Sequence, residues 1–250
     1  RAFFARIDRF LTKFADVVIL PDESRREQIG FSENENVVTV VNAPPDIFSN
    51  NSVVLDSISE TFTISYGGSI SDDRGTDAIC KAVRTLSDVR LVVMGPCPET
   101  YGAHLKSICQ NTLNIELCLK WTLHEEILKQ AVAADMLFAF YDPDVPNNKY
   151  ASPNKLFEAM MCSKPILVND GTSTAKIVRE EDCGLVVPYG DIDAIKHAIL
   201  TLKNDPAFCK CLGENGRRAY ETKYSWEIME GRLLELYEKL NPEQRQVRQP

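Results

Sequence analysis

The residues best suited to chemistry lie in one short segment, the sequence Ser-Pro-Asn-Lys-Leu-Phe-Glu at positions 152–158. Ser152 is a favoured N-cap, and Pro153 suits the first helical position because it has no N–H group to leave unpaired. The free N–H groups and positive dipole of a helix that begins here would attract an anion. A phosphate at this end would also offset the unfavourable place of Lys155 in the first turn. The segment therefore predicts an anion site.

Helical spacing places Asn154, Lys155 and Glu158 on one side of this predicted helix and the apolar residues on the other. The three polar residues would then face a cleft together while the apolar side packs inward. The alternative is a surface ion pair between Lys155 and Glu158, which at i, i+3 contributes about 0.2–0.5 kcal/mol. The segment alone does not decide between these two interpretations.

Composition indicates a soluble globular protein, with 44% hydrophobic and 26% charged residues among 250. The net charge of −8 argues against a nucleic-acid surface, which normally carries a basic excess. No apolar run approaches the roughly 18 residues of a membrane span, and no signal peptide is evident. These features predict a cytoplasmic protein without a nucleic-acid partner.

Metal binding is not expected from the cysteines and histidines. The eight cysteines form no C-x-x-C pair, and the three histidines lie far apart in the sequence. Most of the cysteines lie within apolar runs, which favours free buried thiols in a reducing cytosol. We expect neither a metal nor another cofactor.

Strand and helix patterns alternate through the middle of the chain. Strands are predicted at 62–66, 90–94, 115–119, 136–140, 165–168 and 184–187. Helices are predicted at 73–86, 99–110, 124–134 and 175–180, and then at 191–203, 206–222 and 226–240. This alternation of apolar strands with helices predicts an α/β fold, a Rossmann-like, doubly wound parallel sheet followed by C-terminal helices. Ligands in such sheets bind at the carboxyl ends of the strands.

The first 50 residues read as a separate piece. Strands predicted at 17–20 and 37–41 flank a polar helix at 23–29, and these elements are too few to bury much surface alone. We therefore interpret residues 1–50 as the end of a preceding domain. Residues 42–57 are rich in Pro, Asn and Ser, the composition of a linker.

An amphipathic helix is predicted at 1–14, and it carries Arg1, Arg6, Arg9 and Lys13. A basic amphipathic helix can dock on a membrane surface, which would bring the protein to the cytoplasmic membrane face as a peripheral protein. The alternative, which its apolar face favours, is burial inside the preceding domain.

Two further groups of residues are predicted to lie at the same edge of the sheet as the anion site. Gly67 and Gly68 follow a predicted strand, where glycine lets a ligand approach the backbone closely; a tight turn is the alternative. Arg74 offers a planar fork of donors that suits a diphosphate. Its alternative is pairing with Asp72 or Asp73 beside it.

In their order and spacing these motifs resemble the nucleotide-binding half of the retaining GT-B glycosyltransferases of the group 1, or family 4, type. The segments that carry the resemblance are Tyr66-Gly67-Gly68, Arg74-Gly75, Met94-Gly95, Ala134-Asp135, the 152–160 segment, Lys164-Pro165-Ile166, Cys183-Gly184-Leu185 and Tyr224-Ser225-Trp226. The resemblance covers about residues 16–240. It implies a sugar transfer from a nucleotide-diphosphate sugar to an acceptor, with retention and without a metal.

The same resemblance implies that the chain is divided into three parts. Residues 1–50 would be the remnant of the N-terminal, acceptor-side domain with its linker, and 51–225 the nucleotide-sugar-binding domain. Residues 226–250 would form a C-terminal helix that packs back toward the N-terminal domain, with a frayed tail. The acceptor, a saccharide, lipid or other small molecule, would bind in the missing half. This chain alone is thus expected to bind the donor without turnover.

Roles for single residues also follow from the resemblance. Glu158 matches the second glutamate of the family's E-x7-E motif, which hydrogen-bonds the ribose hydroxyls. Arg74 and Lys155 would hold the diphosphate, and with Glu158 they form the expected catalytic set. The expected donor-binding residues are Gly67, Gly68, Trp121, Thr122, Tyr150, Ser152, Asn154 and Leu156, the backbone N–H groups of Asn154 and Leu156 adding to the diphosphate clamp.

Two positions of the resemblance carry alternatives. Trp121 and Thr122 would lie against the base, although the bulk of Trp121 favours core packing. Tyr150 stands where the first glutamate of E-x7-E is expected, a residue that touches the transferred sugar. A second hypothesis is therefore a non-catalytic nucleotide- or partner-binding module of the same fold. A third, a sugar-nucleotide epimerase, lacks its histidine- and arginine-rich site here.

Overall fold

The computed structural model describes residues 7, 10–12, 14–30, 36–48 and 61–241. Most of the predicted helix at 1–14, the second half of the predicted linker and the predicted tail after 241 lie outside these residues. Near the start of the chain, strands β1 (Val18–Leu20) and β2 (Val37–Thr39) pair in parallel, and helix α1 (Arg25–Ile29) connects them. These elements match the three predicted for this piece.

The main sheet contains six parallel strands. They are β3 (Phe62–Gly67), β4 (Val89–Met94), β5 (Ile115–Cys118), β6 (Met136–Ala139), β7 (Ile166–Asn169) and β8 (Gly184–Val187). Their order across the sheet is β5-β4-β3-β6-β7-β8. The direction of winding therefore reverses between β3 and β6, and in doubly wound sheets a ligand crevice forms at such a point.

Helices cover both faces of this sheet. They are α2 (Thr76–Val83), α3 (Glu99–Ile108), α4 (His124–Ala133), α5 (Asn154–Met161), α6 (Ser173–Glu181), α7 (Ile192–Asn204), α8 (Pro206–Ala219) and α9 (Trp226–Leu240). One core cluster joins the sheet to α2, α3 and α7, and a second joins it to α4, α5 and α6. All four residues of β6 are buried, as expected of a strand covered on both sides. The predicted Rossmann-like fold is confirmed.

One predicted helix begins later than expected. The helix predicted from Asp73 is a short 3-10 turn at Asp72–Arg74, and α2 begins only at Thr76. Gly75 separates the two with φ of 59°, a left-handed conformation that glycine adopts without strain. The break matters because it turns Arg74 toward the carboxyl edge of the sheet.

The 36–48 segment packs against the C-terminal helices. The Val41 N–H donates to Met229 Sδ at 3.2 Å, and Arg232 donates to the Thr39 carbonyl at 3.0 Å. Between α8 and α9 the chain forms a π-helical turn, in which the fully buried Tyr220 donates to the Pro44 carbonyl at 2.7 Å. The domain boundaries proposed from the sequence remain predictions, but these contacts join the 36–48 segment to the C-terminal helices.

Candidate functional site

A cavity of about 280 Å³ opens where the winding of the sheet reverses, and we call it the switch-point cavity. Its lining residues are Tyr66, Gly68, Ser69, Arg74, Tyr141, Ser152, Pro153, Asn154 and Lys155. They come from the end of β3, the 3-10 turn after it, the loop after β6 and the start of α5. The structure thus brings together Gly68, Arg74, Ser152, Asn154 and Lys155 of the predicted site residues.

Glycine is required where β3 and β4 end. Gly68 has φ of +143°, and a Cβ added to it would lie 2.8 Å from Lys155 Cε. A Cβ on Gly95 would lie 1.9 Å from the Gly68 carbonyl oxygen. Gly67 serves packing instead, because its Cβ would lie 2.1 Å from Cγ2 of Ile127 in α4. The glycine pair therefore does more than make a tight turn, and only its second member lines the cavity.

Arg74 lies in the cavity wall, where it faces the space proposed for a diphosphate, and it also pairs with an aspartate beside it. Its Nη1 donates to Asn148 Oδ1 at 3.1 Å and lies 3.5 Å from Asp73 Oδ2. Its guanidinium carbon lies 4.2 Å from the centre of the Tyr141 ring, a cation–π distance. Pairing with Asp73 thus occurs, and it leaves the guanidinium at the cavity with its plane fixed by three neighbours.

Asn148 is a site residue that the sequence did not reveal. It is buried, and its Nδ2 donates to Asp73 Oδ2 at 3.0 Å while its Oδ1 accepts from Arg74. Burial by itself raises the pKa of Asp73, but hydrogen bonds from Asn148 and Ser71 and the charge of Arg74 outweigh it and lower the pKa. Asp73 therefore remains ionised and anchors Arg74. No signal in the 140–151 loop points to Asn148, because only folding places it beside the Arg74 turn.

Two tyrosines in the wall were also missed. Tyr66 is the last residue of the predicted strand 62–66, and Tyr141 follows β6, so their places at the carboxyl edge of the sheet were available from the predicted strands. Burial raises the pKa of both hydroxyl groups, which stay protonated at neutral pH. The Tyr66 hydroxyl donates to the Ser69 carbonyl at 2.7 Å.

Helix α5 begins at Asn154, and Pro153 takes the N-cap position with ψ of 135°. The predicted cap at Ser152 is therefore wrong by one residue, and no side chain caps this helix. Chain geometry explains the shift, because the Ala151 carbonyl accepts from the hydroxyls of Ser173 and Thr174, both at 3.0 Å, and holds the approach extended. The Ser152 Oγ is buried without a hydrogen-bond partner among the described residues, and Ser152 lines the cavity.

The free N–H groups at this helix start are those of Asn154 and Lys155, which an α-helix leaves without internal partners. The predicted contribution of Leu156 is wrong, since its N–H donates to the Pro153 carbonyl at 3.1 Å and its side chain is fully buried. The first turn closes as a tight i→i−3 bond, which leaves one fewer donor for an anion.

Lys155 and Glu158 form an ion pair inside the protein. Lys155 Nζ lies 3.2 Å and 3.3 Å from the two carboxylate oxygens of Glu158. The Glu158 side chain is 1% exposed and that of Lys155 15%. The alternative of a surface pair is wrong, and so is the expectation that Glu158 faces the cleft, because six of the eight α5 residues are buried and Lys155 covers the carboxylate.

Besides Gly67, Leu156 and Glu158, three more predicted residues do not line the switch-point cavity. Trp121 is 72% exposed in the loop after β5, so the favoured core packing is wrong. Thr122 is buried, and its hydroxyl donates to the Lys120 carbonyl at 3.1 Å. Tyr150 lies in the 3-10 turn Asn148–Tyr150, with Lys149 Nζ 5.1 Å from the centre of its ring. None of the three lines the cavity.

The cavity suits an anion with several oxygens. Two cations, one unpartnered hydroxyl and the N–H groups of a helix start converge on about 280 Å³. In the described part of the chain, no group of three or more His, Cys, Asp or Glu residues could hold a metal ion. No helix among the described residues has the length and apolar character of a membrane span.

Sequence comparison finds one family over most of the chain. The family described as "Glycosyl transferases group 1" matches residues 48–219. A capsular polysaccharide biosynthesis glycosyltransferase, CapM of Staphylococcus aureus, is 24% identical over 187 residues, 72% of this chain and 47% of that protein. A phosphatidyl-myo-inositol mannosyltransferase of Mycobacterium leprae is 24% identical over 65% of this chain and 41% of its own length. The chain thus spans about half the length of these curated relatives.

Solved structures share the fold. A sucrose-phosphate synthase from Thermosynechococcus elongatus matches 96% of this chain and 62% of its own, with a TM-score of 0.75 and 18% identity. The Anabaena protein HepE, in complex with UDP and glucose, matches 94% of this chain and 66% of its own, with a TM-score of 0.75 and 14% identity. At these identities the likeness establishes the architecture.

Proposed function

This chain belongs to the group 1 glycosyl transferases, and from that premise we propose that its switch-point cavity binds the diphosphate of a nucleotide sugar. The observation that carries the proposal is the convergence of Arg74, Lys155 and the start of α5 on one cavity at the reversal of the sheet. The whole protein would transfer the sugar to an acceptor.

Charge stabilisation is the chemical task of this site. The bond between the anomeric carbon and the diphosphate breaks, and the leaving diphosphate takes the electron pair. Arg74 and Lys155 stabilise that charge through contacts that strengthen as it develops. In this proposal the two side chains and the α5 N–H groups do so without a metal ion. Retention follows if the acceptor hydroxyl oxygen bonds to the anomeric carbon on the face that the diphosphate leaves, and its proton passes to the departing diphosphate oxygen.

In this proposal the Glu158 carboxylate binds the ribose hydroxyls. Because Glu158 is buried under Lys155, this binding requires that Lys155 moves first. Lys155 occupies the carboxylate and must turn from Glu158 to the diphosphate before the ribose hydroxyls can reach it. Two favourable interactions replace the ion pair, because Lys155 then pairs with a phosphate and the Glu158 carboxylate accepts hydrogen bonds from two vicinal hydroxyls.

The donor and acceptor classes are proposed from relatives. HepE binds UDP and glucose, and TarM of S. aureus has been solved with UDP and an α-GlcNAc-glycerol. A Corynebacterium glutamicum relative, 32% identical over 79 residues, is named a GDP-mannose-dependent mannosyltransferase of a monoacylated phosphatidylinositol mannoside. We propose a nucleoside-diphosphate hexose as donor and a saccharide or lipid-linked acceptor, with peripheral attachment at the cytoplasmic membrane face.

Turnover of labelled sugar nucleotides by the full natural protein tests this proposal. Transfer or slow hydrolysis of one labelled donor is expected, and the anomeric configuration of the product, read by proton NMR, should equal that of the donor. Arg74→Gln should lower kcat at least 100-fold, the usual cost of removing one charge-stabilising donor. The exposed Arg84→Gln is the matched control. Tight nucleotide binding without turnover would instead favour the binding-module alternative.

A further inference from the structure

A second cavity, of about 610 Å³, lies at the opposite edge of the main sheet, and we call it the amino-edge cavity. Phe62 begins β3, Asp135 precedes β6 and Pro165 precedes β7, and all three line it. At about 3.3 Å per residue, the six residues of β3 put some 20 Å between this cavity and the switch-point cavity. An occupant here is therefore a different molecule from the sugar donor.

The walls of the amino-edge cavity combine apolar and cationic groups. Leu202 and Lys203 come from the end of α7, and Pro206, Cys209 and Lys210 from the start of α8. With Lys164, three lysines and a single aspartate line the cavity in a chain whose net charge is −8. Two of these lysines, Lys203 and Lys210, are paired with carboxylates outside the lining, so the attraction for an anionic occupant rests on Lys164.

Lys164 is the cation without a counter-ion. Lys203 pairs with Asp88 and Lys210 with Glu214, whereas within the described ranges no carboxylate oxygen lies within 4 Å of Lys164 Nζ. Burial lowers the pKa of Lys164, which reflects the cost of holding this charge in the wall.

Neither of the two nearby acidic groups forms an ion pair with Lys164, although the charge of Asp135 partly offsets the effect of burial on the Lys164 pKa. Burial raises the pKa of Cys209 to about 11, so its thiol is uncharged at neutral pH. Asp135 is tied to the start of β3, where its Oδ2 accepts from the Thr63 N–H at 2.7 Å and its own N–H donates to the Thr63 carbonyl at 2.8 Å. Among the described residues the ammonium of Lys164 therefore has no direct ion-pair partner, and a group that enters the cavity can take that place.

We infer that the amino-edge cavity binds a small organic anion, its acidic group on Lys164 and its apolar body against Phe62, Leu202 and Pro206. The volume lies within the roughly 300–1,000 Å³ of small-molecule sites. Apolar contacts supply affinity and one charged group fixes orientation, the usual division in such pockets. This site is independent of the proposed donor site.

Fluorescence titration with 8-anilinonaphthalene-1-sulfonate tests the site, since this probe joins an aromatic body to one sulfonate. Saturable one-to-one binding is expected for the wild type. Lys164→Gln should raise Kd at least tenfold, while Lys164→Arg, which keeps the charge, should stay within threefold. The matched control is Lys176→Gln, an exposed lysine in α6 that pairs with Glu180. Equal binding by wild type and Lys164→Gln, or a loss in Lys164→Arg as large as in Lys164→Gln, would overturn the inference.

A measurement on the unmodified protein guards against misfolding of the variants. Acetic anhydride acetylates accessible lysine amines, and peptide mass spectrometry gives the rate at each site. Saturating probe should slow acetylation of Lys164 at least fivefold and leave Lys176 unchanged. Equal slowing at both lysines, or none at Lys164, would show that the probe binds elsewhere and would overturn the inference.

Discussion

Both cationic side chains of the switch-point cavity already form an ion pair with a neighbouring carboxylate. Arg74 is fixed by Asp73 and Asn148, and Lys155 by Glu158. Such pairs keep the cations in place without an anion, and they leave donor positions free on the guanidinium for a ligand. The site is therefore largely pre-formed at Arg74 and requires rearrangement at Lys155.

Glu158→Ala should destabilise the protein by about 3 kcal/mol, the lower end of the cost of breaking a buried ion pair, because Lys155 keeps some access to water. Urea unfolding at neutral pH measures the change. The double variant Lys155→Met with Glu158→Gln should recover most of it, since no unpaired charge is left. A double variant as unstable as Glu158→Ala would show that packing at position 158, and not charge pairing, carries the effect.

Asn148→Ala should weaken binding of a nucleoside diphosphate and cost about 1–3 kcal/mol of stability, because Arg74 and Asp73 each lose a buried hydrogen bond. Calorimetric titration and thermal unfolding measure the two effects. The neighbouring Asn147→Ala is the control, since Asn147 is exposed and, among the described residues, its side chain accepts only from Arg25. If both variants bind nucleotide equally, Asn148 does not position Arg74.

At the scale of elements, the strand ends and helix starts that form the site were largely predictable. Apolar runs and glycine turns predicted β3, β4 and β6 to within a residue at their carboxyl ends, because fully buried parallel strands read as continuous apolar segments. The start of α5 was misplaced by one residue, since hydroxyls from the distant α6 hold Ala151 extended. Local rules for caps cannot include a partner that lies 22 residues further along the chain.

Burial of individual side chains was harder to predict. Spacing alone placed Glu158 on the polar side of α5, but Lys155 folds over it and excludes it from the cavity. Trp121 was expected in the core for its bulk, whereas the loop after β5 leaves it exposed. Both outcomes depend on which neighbours arrive from elsewhere in the fold, information that periodicity does not carry.

Gly95→Ala should destabilise the protein by about 3 kcal/mol or more, since a positive φ and a backbone oxygen 1.9 Å from the new Cβ combine strain with overpacking. Denaturant unfolding gives the value. Gly231→Ala is the matched control, because it lies inside α9 with open space around it and should stabilise by about 0.5–1 kcal/mol. Similar stability of the two variants would mean that the ends of β3 and β4 are looser than the structure shows.

At the scale of the whole molecule, Asp46 and Arg217 join the 36–48 segment to α8. Arg217 Nη1 donates to Asp46 Oδ1 at 3.2 Å and to the Met161 carbonyl at 2.8 Å. Burial raises the pKa of Asp46, but hydrogen bonds from Arg217 and the Phe48 N–H outweigh it and lower the pKa below 3.8. Because the folded value is the lower one, the stabilisation is present above about pH 4 and is lost as the pH falls through the folded pKa.

Asp46→Asn should therefore reduce the loss of stability between pH 6 and pH 3. Urea unfolding of wild type and variant at the two pH values measures that loss. Asp193→Asn, which removes a 96% exposed carboxylate, is the control and should lose as much stability as the wild type. A loss in Asp46→Asn equal to that of the wild type would show that this pair does not link the segment to α8 in solution.

Binding of nucleoside diphosphates to this chain is the measurement that tests the donor-site proposal most directly. Isothermal titration with UDP, GDP and ADP, each beside its uncharged nucleoside, should show one diphosphate that binds while its nucleoside binds at least tenfold more weakly. Arg74→Gln should weaken the diphosphate at least tenfold and Arg84→Gln should not. If no diphosphate binds, or if Arg74→Gln binds as tightly as the wild type, the switch-point cavity is not the donor site.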